Sequence, residues 1–260
     1  SPPYTDGTLE LDHPKPAVIA EIYRLEAFAS TDAMLASNGV VFVKFDLAQG
    51  TNGWIAVEVG GKDPLRFLEG KVTNPEGQVL AIFDSGWKWE RQLATRRIAP
   101  GVPAFLAIAT KPLEPDVRLQ CGAEIYQAQR KACSDTWQNL IAQGMNLETP
   151  ERVVNNAWRH LIVQNFELFN GDRIHYSSGN QYDKLYEAEG SDAAWGMLAW
   201  GYEGDIRRWL VPLFDFTRKN LECHQAGFKL QNLCNYFWQT RDANAVRELR
   251  PRWEKEARLL

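Results

Sequence analysis

The feature that most constrains this chain is a change of period near residue 120. Before it, apolar residues cluster in short runs; after it, they recur three and four residues apart. The early runs are "GVVFVKFDLA" (39–48), "GWIAVEVG" (53–60), "QVLAIFDSG" (78–86), "RQLATRRI" (91–98) and "PAFLAIAT" (103–110). They are rich in β-branched and aromatic residues, and turn residues such as "QGTNG" and "NPEGQ" divide them. Short strands at this spacing predict an antiparallel β-sandwich over residues 1–118. The fold class expected is α+β and multidomain: that sandwich, a helical linker over 119–148, and antiparallel helical hairpins over 149–260.

The linker reads as one helix, "AEIYQAQRKACSDTWQNLIAQG". In the next segment Thr149 is placed to cap a helix with Pro150 at its first position. Its apolar set is Val154, Ala157, Trp158, Leu161 and Ile162. Then comes "YEAEGSDAAWGMLAWGY" (186–202), three carboxylates and a serine followed by a run without charge. Ser191 is read as the cap of a helix over Ala193–Tyr202, apolar on every side and so buried. From Ile206 a one-sided stripe follows, through Trp209, Leu210, Leu213, Phe214 and Thr217, with a kink expected near Pro212. "AGFKLQNLCNYFWQTR" (226–241) is again mostly apolar, and "ANAVRELRPRWEKEARLL" (243–260) reads as one amphipathic helix. Outer and inner helices therefore alternate, which predicts antiparallel pairs in two layers. The spacing lacks the ~34-residue period of a tetratricopeptide array.

Composition narrows the partners. The net charge is −4 and there is no basic tract, which argues against binding nucleic acid through phosphate contacts. No apolar stretch approaches the ~20 residues needed to cross a bilayer. Ten tryptophans are unusual in 260 residues, and an indole offers a flat apolar platform to a sugar ring. Trp87 and Trp89 in "GWKWE" are candidates for that role, with packing against a neighbouring domain the favoured alternative. Cys121, Cys133, Cys223 and Cys234 have no CxxC spacing; disulfides stay open, with helical Cys133 and Cys234 favouring thiols. The chain opens "SPPYTDG", so a leader was removed or never existed. The compartment stays open, with a periplasmic or secreted one favoured over the cytoplasm.

The order sandwich, linker, then "NNAWRHLIVQNFELFNGDRIHYSSGNQYDKLYEAEGSDAAWGMLAWGY" resembles the entry into the catalytic domain of six-hairpin, or (α/α)6-toroid, glycosidases. Glycogen-debranching-like and trehalase/glucosidase-like hydrolases share this order. The resemblance covers most of the chain as architecture and is sharpest over residues 150–242. It implies a glycoside hydrolase, or a piece of one, acting on an oligo- or polysaccharide. A complete toroid needs about twelve helices and about five are present. Later hairpins, or a second copy, are therefore expected to cover an open apolar face.

The acids then acquire a place. Outer-to-inner connections emerge at one end of such a barrel, and residues 170–190 form a long one, rich in hydrogen-bonding groups such as Asn170, Asp172, Arg173, His175 and Asp183. Glycoside hydrolysis needs two carboxyl groups across the scissile bond. Asp192, at the positive end of a helix, suits gripping sugar hydroxyls or acting as base. Glu189, before the helix, suits the proton donor. The substrate-binding set is Tyr182, Glu187, Trp195, His224, Gln225 and Lys229, and the partner carboxylate is expected beyond Leu260. Helix capping is the competing explanation of the acids. No cofactor is implied. His13, His160, His175 and His224 lack metal-ligand spacing on any helix, and neither a phosphate loop nor a GxSxG elbow is present. The alternative function is a non-catalytic carbohydrate-binding or scaffold protein. A protein-binding α-solenoid fits less well, because solenoids expose one face of each inner helix.

Overall fold

The computed structural model describes residues 7–13, 21–49, 52–60, 64–175 and 187–260. They divide into two compact units, Ser1–Gln138 and Asn139–Leu260. The class is mixed α+β, with antiparallel sheets followed by helices.

The first unit is built from β1 (Gly7–His13), β2 (Glu21–Ala29), β3 (Val40–Gln49), β4 (Gly53–Glu58) and β5 (Arg66–Leu68). It continues with β6 (Lys71–Thr73), β7 (Val79–Phe83), β8 (Lys88–Glu90), β9 (Leu93–Ile98) and β10 (Ala104–Leu113). Seven strands form one antiparallel sheet in the order β1-β2-β3-β10-β7-β6-β5, and three form another, β4-β9-β8. Successive residues of a strand point to opposite faces. In β3, Val40 and Phe42 pack with Tyr126 and Cys133 of helix α2 (Ala123–Ile141), whereas Val43 packs towards Ile55, Ala94 and Ile98 of the small sheet. The large sheet is thus apolar on both faces. That is why its middle strands read as unbroken apolar runs rather than alternating ones.

The five sequence-predicted strands correspond to β3, β4, β7, β9 and β10. Of the strands outside those five, β5, β6 and β8 are only three residues long, too short to display a period, whereas β1 and β2, seven and nine residues long, were missed despite their length. The helix α1 (Ala33–Ser37) was also missed; Asp32 caps it, accepting from the backbone N–H of Met34 and of Leu35 at 3.1 Å each. Trp87 is not an exposed sugar platform. It is buried against Phe83 and Phe45 of its own unit, at ring separations of 4.9 and 6.3 Å, and donates to Asp84 Oδ1 at 2.7 Å. Trp89 lies flat on Phe67, 5.5 Å between centroids.

The second unit comprises α3 (Arg152–Glu167), the two-residue strands β11 (Phe169–Asn170) and β12 (Arg173–Ile174), and α4 (Glu187–Ala199). It continues with α5 (Glu203–Asp215), α6 (Glu222–Thr240), α7 (Ala243–Glu248) and α8 (Arg250–Ala257). Its core is Ile162, Ile174, Met197, Ile206, Trp209, Leu210 and Leu213, all essentially sealed from water. Helix α6 is the hub, packing against α4, α5 and α8.

Local chemistry corrects several expectations here. Thr149 does not cap α3, and Pro150 lies outside it; Glu151 holds the cap position without a side-chain bond. Thr149 and Asn155 instead brace each other: Asn155 Oδ1 accepts from Thr149 N, and Asn155 Nδ2 donates to Thr149 O, both at 2.8 Å. Ser191 is not a cap, because α4 starts at Glu187. The helix ends before Tyr202 for a clear reason. Gly201 has φ 92°, its N–H reaches Leu198 O, and the Tyr202 N–H reaches Met197 O, the paired bonds of a glycine-terminated helix. Nor is α4 buried all round. Ala194, Met197 and Leu198 are buried, but Asp192, Trp195 and Ala199 form an exposed stripe. Finally, residues 243–260 are two helices, with Leu249 ending α7 and Pro251 in the first turn of α8. Proline offers no N–H to continue the α7 ladder.

Candidate functional site

Asp192 and Trp195 are three residues apart on α4 and so are neighbours on its surface. Asp192 is exposed and Trp195 is 50% exposed. The side of α4 beside them is anchored: the buried Ser191 hydroxyl accepts from Asn232 Nδ2 of α6 at 2.5 Å. Asn232 also donates to Phe228 O at 2.8 Å, which fixes its amide. The stripe therefore rests on a helix pair locked by a buried polar contact, a favourable base for positioned groups. Because Asp192 falls in the second turn of α4, the helix dipole contributes less there than the sequence reading supposed.

Helix α6 supplies the other predicted residues, and they part company. His224 is exposed near the helix start, its ring edge-on to Phe228 at 4.9 Å. Gln225 is buried; its Oε1 accepts from Arg218 N at 2.8 Å while Nε2 has no partner. Lys229 is 2% exposed, and its ammonium donates to Phe214 O at 3.1 Å and to Glu256 Oε1 at 3.0 Å. Its donors are directed at α5 and α8, so it holds three helices together where a substrate contact was expected. Glu187 and Glu189 occupy the first turn of α4, but their side chains lie outside the described residues. Tyr182 and the stretch 176–186 lie outside them too.

The described part of the long connection makes a hairpin that sequence reading missed. Gly171, at φ 62°, turns β11 into β12. Asp172 and Arg173 then line a cleft of about 470 Å³ together with Pro212, Asp215 and Thr217 at the end of α5. Two-residue strands give no periodic signal; the glycine in "NGDR" was the only cue. Asp215 is paired with Arg252 at 2.9 Å, and that hydrogen bond holds its carboxyl below the ordinary aspartate value.

In the first unit, a cleft of about 620 Å³ is lined by Lys71, Asp84, Arg118 and Cys121, among others. Two of its charged groups are engaged: Lys71 donates to Val117 O at 2.9 Å, and Asp84 is bound by Arg96 and Trp87. Burial, aided by Asp84, pushes the Cys121 thiol up to about 12, so it is a poor nucleophile. All four cysteines are free thiols. Among the described residues no group of three or more His, Cys, Asp or Glu side chains is arranged to hold a metal. No described helix is long and apolar enough to cross a membrane. Comparison with known protein-family models and with curated proteins finds no match to this chain.

Proposed function

We propose that this chain is the sheet unit and first helical hairpins of a six-hairpin glycosidase, a carbohydrate-active protein that hydrolyses a glycosidic bond by acid–base catalysis. The observation that carries this reading is the Asp192–Trp195 stripe, a carboxylate and a half-exposed indole side by side on a helix locked to its neighbour. An indole face stacks on the apolar face of a sugar ring while a carboxylate accepts from its hydroxyls. Asp192 acts as base or hydroxyl grip and Glu189 as proton donor, with the partner carboxylate on a later hairpin. The contact between α4 and α6 is the kind an inner ring of helices requires. Exposed Val153 and Leu161 on α3 and Trp238 on α6 are surfaces that further hairpins would cover.

The test is release of reducing sugar from oligosaccharides by the protein carrying this chain. Asp192→Asn and Glu189→Gln should each lower turnover by about two orders of magnitude or more, the scale of one positioned acid–base group. Wild-type turnover in both variants would return these acids to a structural role. The second reading is a non-catalytic carbohydrate-binding protein, favoured by the exposed Trp195 and Trp238. In that case glycan binding falls in Trp195→Ala while no variant shows turnover.

A further inference from the structure

The open stripes of α4 and α6 lie on one side of a single layer, because both helices are antiparallel to α5. Only residues 200–202 join α4 to α5, and a Cβ on Gly190, near the start of α4, would lie 3.5 Å from Trp209. Arg207, early in α5, stands 3.9 Å from Asp242 beyond the end of α6, while Phe214, late in α5, accepts from Lys229. So α4 and α6 run the same way, and the bond between Ser191 and Asn232 sets them level. At about 1.5 Å and 100° per residue, Trp195 and Asn235 are each about one turn further on, and Gln239 about two. Trp195 is turned about 40° from Ser191, and Asn235 and Gln239 about 60° and 20° from Asn232, each towards the exposed stripe of its helix. The indole and the two amides therefore converge over the groove between α4 and α6. Asn235 is half-buried and Gln239 exposed, and neither amide has a hydrogen-bond partner among the described residues. Trp195 has no ring or cation partner among them either. Trp238 differs: it stands farther round α6, and the Arg241 guanidinium lies 4.4 Å from its ring centroid.

We infer that Trp195, Asn235 and Gln239 form the subsite for one uncharged sugar ring beside Asp192, the indole as platform and the amides as hydroxyl grips. The choice of sugar as ligand rests on the carbohydrate reading above, while the convergence of the three side chains does not. An amide both donates and accepts, as a sugar hydroxyl does, so a free pair of amides matches neighbouring hydroxyls without a stranded charge. Charge decides the class of sugar. Between Glu222 and Arg241 the exposed side of α6 carries no Asp, Glu, Lys or Arg. Lys229 is sealed in the core and committed to Glu256. A uronate or phosphate on Trp195 would find no cation along this face and would meet the Asp192 carboxylate one turn away. A neutral ring meets no such repulsion, and its hydroxyls can donate to Asp192. Asp192 lies before Trp195 along the groove, and Asn235 and Gln239 lie level with it and beyond, so the two ends of the ring are held by different chemistry. A further helix laid over this face is the rival occupant.

The experiment is electrophoresis of the full chain through native gels containing graded amylopectin, arabinoxylan or mixed-linkage β-glucan, with polygalacturonate as the acidic probe. Wild-type protein is retarded by at least one neutral polysaccharide, and less by polygalacturonate. Asn235→Ala and Gln239→Ala each weaken that retardation about fivefold, the scale of one hydrogen bond. Trp195→Ala weakens it about tenfold, the scale of one good aromatic stack. In the Trp195→Ala background, Gln239→Ala adds much less than its own fivefold, because both side chains hold one ring. Matching thermal melts establish that these surface substitutions leave the fold intact. Undiminished retardation in both amide variants overturns the subsite; if Trp195→Ala still weakens it, the functional reading stands. Full additivity of Trp195→Ala and Gln239→Ala puts the two side chains on different rings and overturns the subsite as well. Stronger retardation by polygalacturonate than by every neutral polymer overturns the choice of an uncharged ring. No retardation of wild type in any gel, the outcome expected if a further helix occupies the face, also overturns the subsite, while turnover of oligosaccharides tests the functional reading separately.

Discussion

The two units spend their apolar residues differently. In the first, the large sheet has the small sheet on one face and α2 on the other, so Phe42, Val43, Leu106 and Ala107 of its central strands are all buried. In the second, α4 and α6 each leave a stripe open at the same interval: Asp192, Trp195 and Ala199 on one, Gln231, Cys234 and Trp238 on the other. The contrast teaches that a helix can carry more apolar surface than its present neighbours cover. A central strand cannot, because both of its edges and both of its faces are committed at once.

The thiols sharpen the contrast most. Cys121 and Cys133 of the first unit are sheltered, whereas Cys223 and Cys234 of α6 are exposed. With its pKa pushed to about 12, Cys121 has a neutral-pH thiolate fraction about 1000-fold below that of an ordinary thiol. Labelling with a thiol reagent, read by peptide mass, should mark Cys223 and Cys234 first, and Cys121 and the buried Cys133 last. Prompt labelling of Cys121 would break the picture of a closed first unit.

Next in size is the buried ion pair of the second unit. Lys229→Met leaves Glu256 sealed among α6 and α8 without its cation, at a cost of about 3–5 kcal/mol in denaturant unfolding. Replacing both, as Lys229→Met with Glu256→Leu, should restore most of that loss. A single substitution without effect would mean that the contacts among α5, α6 and α8 are looser than described.

The matching polar contact in the first unit is smaller. Trp87→Phe keeps most of the ring packing but removes the bond to Asp84, which retains Arg96. A loss of about 1–2 kcal/mol is expected, from one hydrogen bond to a charged group plus some lost volume.

Acid should act on the helical unit through Asp242. The N–H of Ala245 above all, then Tyr236 and the N–H of Asn244, hold its carboxyl below the ordinary value. A depressed carboxyl contributes stability that is fully present above the unfolded value of about 3.9. That contribution is lost as pH falls below it through the folded value. As the cap of α7 it is worth about 1 kcal/mol. Asp242→Ala should therefore lower stability at pH 7 and make little difference at pH 2. Smallest of all, Val153→Lys with Leu161→Lys on α3 should change stability by less than about 0.5 kcal/mol while reducing binding of a hydrophobic dye. A large destabilisation there would show that the open face is not open.

The division into strands and then helices was legible in the sequence because period 2 and period 3.6 are local properties. The same holds for many of the longer elements, from "GVVFVKFDLA" to the stripe through Trp209, though not for the nine-residue β2. Asp192 and Trp195 could be singled out because they lie in one run. Tertiary structure decided which faces are covered, since coverage depends on neighbours distant in the chain. It took Lys229 into the core because Glu256 and the Phe214 carbonyl meet it there. It made Ser191 a partner of Asn232 rather than a cap, because α4 begins a turn earlier than the local pattern suggests. It also buried Trp87 and exposed Trp54, two indoles that sequence alone does not distinguish. One lies between the two sheets, and the other stands beside the edge that three strands leave against seven.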